Sequence, residues 1–398
     1  MKRLLPVFLA ILVSALLIVT ACGQASPASS PTTQTPGQTA TTAPPTTQVI
    51  ATKPTTTTAP PQTTPAKVYK MTYSNFFPPT HLNSKLAELW IQEVNKRTGG
   101  AVQIDYFPGG SLTAANKVYD GVVSGISTIG MSVISYTPGR FPAAELVELP
   151  HGYPSGYVAT MVANDFYNQF KPEEFKDVHV LYFHAHGPGI VFTTKKPVRK
   201  LEDLKGLVIR STGVGAKIAT ALGATGYAAA QNEAYELMSK GVIDGSLSPR
   251  EVLQGWKQAE VVKYVTGCYD IGYTANMFVV MNKAQWDALP PDIQKVITDV
   301  SQEWIEKHAM VWTYYDKSAM DYFRTFPDRE VIDLPPDEMA RWVEKIKPLV
   351  EQAVADLNAK GLPGDTYENF LKERVKYWAG RALTPEECQT WVKAYLLR

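Results

Sequence analysis

The chain has 398 residues, of which 45% are hydrophobic and 19% charged, and its formal net charge is +1. Lys2, Arg3 and Lys53 are the basic residues ahead of position 67, and all 38 acidic residues follow it, so residues 67–398 carry 36 basic against 38 acidic side chains, a net of −2. That balance argues against a nucleic-acid footprint, and the segment is long enough for two lobes.

Met1-Lys2-Arg3 gives a basic start, Leu4–Val19 an apolar run, and Thr20 and Ala21 a small-residue break before Cys22. These are the parts of an export signal, and the run is too short for a spanning helix. Val19-Thr20-Ala21-Cys22 resembles a bacterial lipobox. The resemblance implies a signal peptide over 1–21, cleavage before Cys22, and a lipid on its sulfur. An ordinary signal peptide or a short membrane anchor is the alternative. From residue 25 to 66 the chain is nearly all Ser, Thr, Pro, Ala and Gln, with Lys53 its only charge and no aromatic. Such a segment cannot bury enough apolar area to offset its chain entropy. Residues 22–66 are therefore expected to be a disordered, lipid-anchored spacer holding the 67–398 domain outside the cytoplasm, in a periplasm or on the outer face of the cell membrane.

Within 67–398, strand and helix patterns alternate. Val68–Ser74 reads as a strand, and His81–Arg97 as a helix with an apolar stripe, stopped by Thr98-Gly99-Gly100. Ala101–Phe107 and Thr128–Val133 read as strands, with a helix over Leu112–Val123 between them. A strand from Lys205–Ile209 precedes helices over Gly213–Leu222 and Glu233–Lys240. Met277–Met281 is apolar on both faces. Asp292–Met310 begins a long helix after Pro290-Pro291, and Glu338–Lys360 and Thr384–Leu397 add more. This alternation predicts an α/β fold with largely parallel sheets. No second apolar run of spanning length occurs. Cys268 and Cys388 could pair in an oxidising compartment, but no motif joins them and the question stays open.

Lys200–Arg210 (KLEDLKGLVIR) is similar to a segment of the solute-binding proteins of tripartite ATP-independent periplasmic (TRAP) transporters. Arg97–Gly100 before Asp105–Gly110, Gly121–Gly130, Glu233–Tyr235 before Lys240–Gly245, and Leu289–Val296 agree with that family in order and spacing. The resemblance implies a two-lobed periplasmic-binding-protein fold with crossing strands and a long helix spanning both lobes. Lobe 1 would take about 67–187 plus part of the C-terminal region, and lobe 2 about 190–275. It further implies an extracytoplasmic receptor, not an enzyme, that closes on a small organic acid and delivers it to the integral membrane subunits of a TRAP permease, with no cofactor and no metal.

The site candidates follow. Arg210 ends a strand, where open α/β sheets bind ligands, and its planar fork can grip a carboxylate with two hydrogen bonds. In the family the matching arginine holds the substrate carboxylate. Gly213 and Gly215 could open backbone N–H groups to an anion, or simply shape a turn. Ser248 stands where the family often has Asn, and Gln231 where it often has Phe, which implies a more polar wall. Phe77 and His81 lie in the loop between first strand and first helix, where Phe77 could stack on a ligand or pack in the core, and His81 could cap its helix or touch the ligand. Ser132, Tyr136 and Arg140 follow the third strand, with Arg140 read rather as a solvated loop residue. His184 and His186 form a His-x-His pair, but no third metal ligand stands near them in sequence, so His186 is either a crossing-strand residue near the hinge that touches ligand or an ordinarily packed histidine. An exported enzyme is the competing class, but no Gly-x-Ser-x-Gly elbow, His-Glu-x-x-His pair or Cys–His nucleophile motif is present. A ligand-binding sensor is a third reading, and an ABC-type binding protein the runner-up fold.

Overall fold

The structure, a computed structural model, describes residues 67–397. The expected signal peptide, Cys22 and the spacer lie outside the described residues. Eleven strands occur among those described: β1 (Tyr69–Asn75), β2 (Val102–Phe107), β3 (Ile129–Val133), β4 (Val178–Ala185), β5 (Ile190–Thr193), β6 (Val208–Ser211), β7 (Thr225–Ala228), β8 (Gly245–Ser248), β9 (Tyr264–Gly267), β10 (Asn276–Asn282) and β11 (Glu330–Asp333). They form two sheets, ordered β2-β1-β3-β10-β4 and β11-β9-β5-β8-β6-β7.

Both sheets are mixed. β1 runs parallel to β2 and β3, whereas β10 runs against β3 and β4. In the second sheet β6, β7 and β8 are parallel, as are β9 and β11, whereas β5 runs against β8 and β9. The reversed strand in each sheet is the one that arrives from the other lobe. The chain crosses outward between β4 and β5 at residues 186–189 and returns between β9 and β10 at 268–275. The two crossings are bonded together. Gly189 N–H donates to the Tyr273 carbonyl at 3.2 Å, Thr274 Oγ1 to the His186 carbonyl at 2.7 Å, and Ala275 N–H to His186 Nε2 at 2.9 Å.

The helix Pro291–Phe323 spans 33 residues, about 50 Å at 1.5 Å per residue. Its middle is tied to lobe 1: Trp304 Nε1 donates to the Leu86 carbonyl at 2.8 Å and Trp312 Nε1 to His184 Nδ1 at 3.1 Å. Its last turns reach lobe 2, where Asp316 Oδ1 accepts from Glu251 N–H at 3.1 Å and Ser318 Oγ donates to Gln254 Oε1 at 2.9 Å. The helix runs thirteen residues past the expected end at Met310. Positions 308–316 are buried without interruption, so no amphipathic period marks this stretch as helix. The C-terminal helices Pro336–Ala359, Gly364–Ala379 and Pro385–Tyr395 pack back across both lobes and the long helix. The helix expected over Leu112–Val123 is shorter: a 3₁₀ turn at Ala115–Lys117 and a helix over Val118–Val123. Cys268 and Cys388 are free, buried thiols in separate hydrophobic clusters.

Candidate functional site

Three neighbouring elements of lobe 2 converge at Arg210. The residue sits in β6 and is 1% exposed. Its Nε and Nη2 donate to the Ala229 carbonyl at 3.1 and 2.7 Å, just past β7. Its Nη1 donates to Gln231 Oε1, in the first turn of the helix Gln231–Ser239, and to Ser248 Oγ, at the end of β8, at 3.2 Å. Every one of these acceptors is neutral. Ser248 Oγ is held in turn by Ser246 Oγ at 2.6 Å.

Lobe 1 closes over this cluster. Phe76 and Phe77 stack on each other at 4.5 Å, in a loop fixed by a 2.9 Å hydrogen bond from Phe77 N–H to Asn75 Oδ1. Tyr136 follows β3, and its hydroxyl accepts from the Gln231 N–H across the lobes at 2.8 Å. Trp312 of the long helix and Tyr273 of the return crossing complete the lining of a small cavity of about 30 Å³ beside Arg210. Tyr136 also borders a second, outer groove of about 300 Å³ lined by Asn116, Gly213, Tyr227 and Asn232. A Cβ on Gly213 would stand 2.8 Å from the Ser135 carbonyl, and one on Gly215 would stand 1.9 Å from Ser211 Oγ. Both glycines therefore permit close approach of chain segments, and neither lines the inner cavity.

Of the residues singled out in the sequence, Arg210, Gln231, Ser248, Phe77, Tyr136 and His186 line this cavity together. His81 and Ser132 do not. His81 is fully buried behind Phe77, stacked on it at 4.3 Å. Its Nδ1 accepts from Asn83 N–H at 3.2 Å, capping the helix Leu82–Arg97, which leaves Nε2 to donate to Glu251 Oε2 at 2.8 Å. It is thus a bolt between the lobes. Ser132 points into lobe 1, donating to the Ala115 carbonyl at 2.5 Å. Arg140 pairs with Asp120 at 2.5 Å and lies over Tyr119. His184 and His186 do not converge: His184 accepts from Trp312 and stacks on His308 at 4.2 Å.

His186 spends both ring nitrogens on backbone, Nδ1 donating to the Gly187 carbonyl at 2.5 Å and Nε2 accepting from Ala275 N–H. Burial lowers its pKa to about 4, and nearby Arg210 pushes the same way. It is a neutral wall and a hinge clamp, with no nitrogen left for a ligand. Burial likewise raises the Tyr136 phenol, although Arg210 pulls it back. Sequence reasoning missed Phe76, Thr212, Glu251, Tyr273 and Trp312, which also line the cavity. Glu251 stands three residues past Ser248 and was within reach of the motif. Tyr273 and Trp312 meet the cavity only through the crossing and the long helix, so no local spacing marks them.

The profile of the bacterial extracellular solute-binding protein family 7 (DctP) matches residues 73–356. The chain is 23% identical over 300 residues to the C4-dicarboxylate-binding periplasmic protein DctP of Rhodobacter capsulatus, covering 72% of this chain and 87% of that one. Among solved structures, a TRAP periplasmic solute-binding protein from Desulfovibrio salexigens is 32% identical with a TM-score of 0.70, covering 80% of this chain and 98% of that one. A TRAP solute-binding protein from Rhodoferax ferrireducens, in complex with copurified benzoate, is 26% identical with a TM-score of 0.75, covering 79% and 100%. A Bordetella bronchiseptica homologue with bound mandelate is 28% identical with a TM-score of 0.73, covering 78% and 99%.

Proposed function

Because the chain belongs to the family-7 bacterial extracellular solute-binding proteins, we propose that it is a receptor for a small organic acid, held between two lobes by Arg210 and handed to a TRAP-type permease. The observation that carries this reading is the state of Arg210. A guanidinium buried to 1% exposure, with all its hydrogen bonds on neutral oxygens, is a charge awaiting an anion, because an unpaired buried cation is costly. The relatives with bound benzoate and mandelate are consistent with an acid in this position. Lobe 1 takes about 67–187 with part of the C-terminal region, and lobe 2 takes about 190–275 together with β11, which lies at the edge of its sheet. Gln231, Ser248, Tyr136 and Phe77 orient the acid. His186 shapes the wall.

Cys22 is the point of lipid attachment in this reading, and residues 22–66 are the tether. A tethered receptor stays near its permease at high effective concentration. Cys22→Ser should move the protein from the membrane fraction to the soluble fraction, or leave the signal uncleaved. An unchanged membrane association would refute the anchor.

The receptor reading is tested by thermal melting with a panel of organic acids. An acid at 100 times its Kd should stabilise the chain by about 2.7 kcal/mol, with no product formed. Arg210→Ala should weaken binding by about 2–5 kcal/mol, as when one partner of a buried charge pair is removed. Arg210→Lys should recover only part, because the fork is lost. Turnover of the acid, or undiminished stabilisation of Arg210→Ala, would overturn the reading.

A further inference from the structure

Among the described residues that line the cavity, Arg210 is the one cationic side chain and Glu251 the one carboxylate. Glu251 Oε2 is engaged by His81 at 2.8 Å, and its backbone N–H by Asp316 Oδ1 at 3.1 Å. The nearby guanidinium of Arg250 is committed to Asp316 Oδ2 at 3.1 Å and lies over Tyr269. A second carboxylate on a ligand would therefore meet no free cation here and would face Glu251 with Asp316 behind it.

Hydrogen-bonding capacity is as limited as charge. Both nitrogens of His186 are used on backbone. The Tyr273 hydroxyl donates to the Leu247 carbonyl at 2.7 Å. Ser248 Oγ is shared between Arg210 and Ser246. Among the lining side chains, Gln231 Nε2 and Thr212 Oγ1 are buried polar atoms without a partner. Gln231 Nε2 belongs to the amide whose oxygen faces Arg210, so it can donate to an oxygen on or next to the gripped carboxylate. The Tyr136 hydroxyl accepts from the Gln231 N–H and keeps its own proton to donate. Most of the remaining wall is carbon: the stacked Phe76–Phe77 pair, Trp312, Met277, Leu247 and Val252.

Resting on the reading of Arg210 as carboxylate anchor, we propose that the ligand is a compact aryl monocarboxylate, with at most one or two polar groups beside the carboxylate. A ring packs against this aromatic and aliphatic wall and needs no hydrogen bonds. A dicarboxylate leaves its second charge unpaired, and a polyhydroxylated sugar acid buries hydroxyls against carbon, where each unmade hydrogen bond weakens binding.

The test is calorimetric titration of the full chain with benzoate, phenylacetate, mandelate, succinate, gluconate and the neutral analogue benzamide. An aryl monocarboxylate should bind at least tenfold tighter than succinate, gluconate and benzamide. Arg210→Lys, which keeps a cation in the buried site, should bind that acid at least tenfold more weakly while melting as a folded protein. If succinate or gluconate binds as tightly as the aryl acids, and Arg210→Lys loses that binding, the ligand class is wrong and the anchor stands. If the parent binds no acid in the panel, or Arg210→Lys binds equally well, the class and the anchor both fail.

Discussion

Arg210 was legible in the sequence because a strand ending in arginine, ahead of a glycine-rich turn, is a local pattern with a local consequence. For His81 the helix cap, one of its two readings, is what the structure shows, while its partner Glu251 was not foreseen and Ser132 does not reach the cavity. The side chain of His81 is drawn backward to cap its helix and to meet Glu251, a partner 170 residues away. Ser132 lies on a strand buried along its whole length, where alternation of faces does not reveal which side meets the cleft. Glu148 shows a third kind of residue that sequence leaves unmarked. It is fully buried, accepts from Asn276 N–H at 2.9 Å, and burial raises its pKa from 4.5 to about 8, with Glu145 adding to the rise. The folded chain thus keeps a proton that the unfolded chain gives up between those values. This contribution to stability is whole below pH 4.5 and is lost as pH rises to about 8, at a slope on the order of 1 kcal/mol per pH unit. Glu148→Gln removes that dependence. Melting curves at pH 5, 7 and 9 should show the parent losing ground to Glu148→Gln across the range. Parallel profiles would mean that Glu148 is ionised in the folded protein.

At the scale of elements, β1, β2, β3 and β10 appear within a residue or two of their expected bounds, whereas β4, β5, β7, β8, β9 and β11 had no expected range. The helices Gly156–Phe170 and Gly364–Ala379 were not foreseen, and neither was the second half of Pro291–Phe323. The first and last of these are largely buried on more than one face, which erases the stripe that a sequence reader uses. The crossing segments were expected, but their mutual bonding was not, since it depends on two stretches far apart in the chain. Gly189 is the tight point. A Cβ there would stand 2.0 Å from Tyr273 Cε1, and Tyr273 lines the cavity and bonds the Leu247 carbonyl. Gly189→Ala must displace that ring, and overpacking of this kind costs about 1–3 kcal/mol. A lowered melting temperature together with weaker acid binding is expected. An unchanged melt would show that the crossing yields without strain.

For the molecule as a whole, contacts between the lobes surround Arg210: His81–Glu251, Tyr136–Gln231 and the Phe76–Trp256 stack at 6.1 Å. The space left beside the guanidinium is about 30 Å³, so an organic acid fits there only if these contacts part. An acid touching both lobes would then favour the shut state through its differential affinity. What the sequence conveyed at this scale was the pairing of lobes, through motifs matching a family. The shape and charge of the cavity came from contacts between segments that no spacing connects. The central claim is that a carboxylic acid is gripped by Arg210 in this cavity. Mass spectrometry of the small molecules released on denaturing the purified parent and Arg210→Ala tests it most directly. A carboxylic acid in near-stoichiometric amount is expected from the parent, and none from Arg210→Ala. The same acid retained by Arg210→Ala, or a neutral or cationic molecule released from the parent, would contradict it.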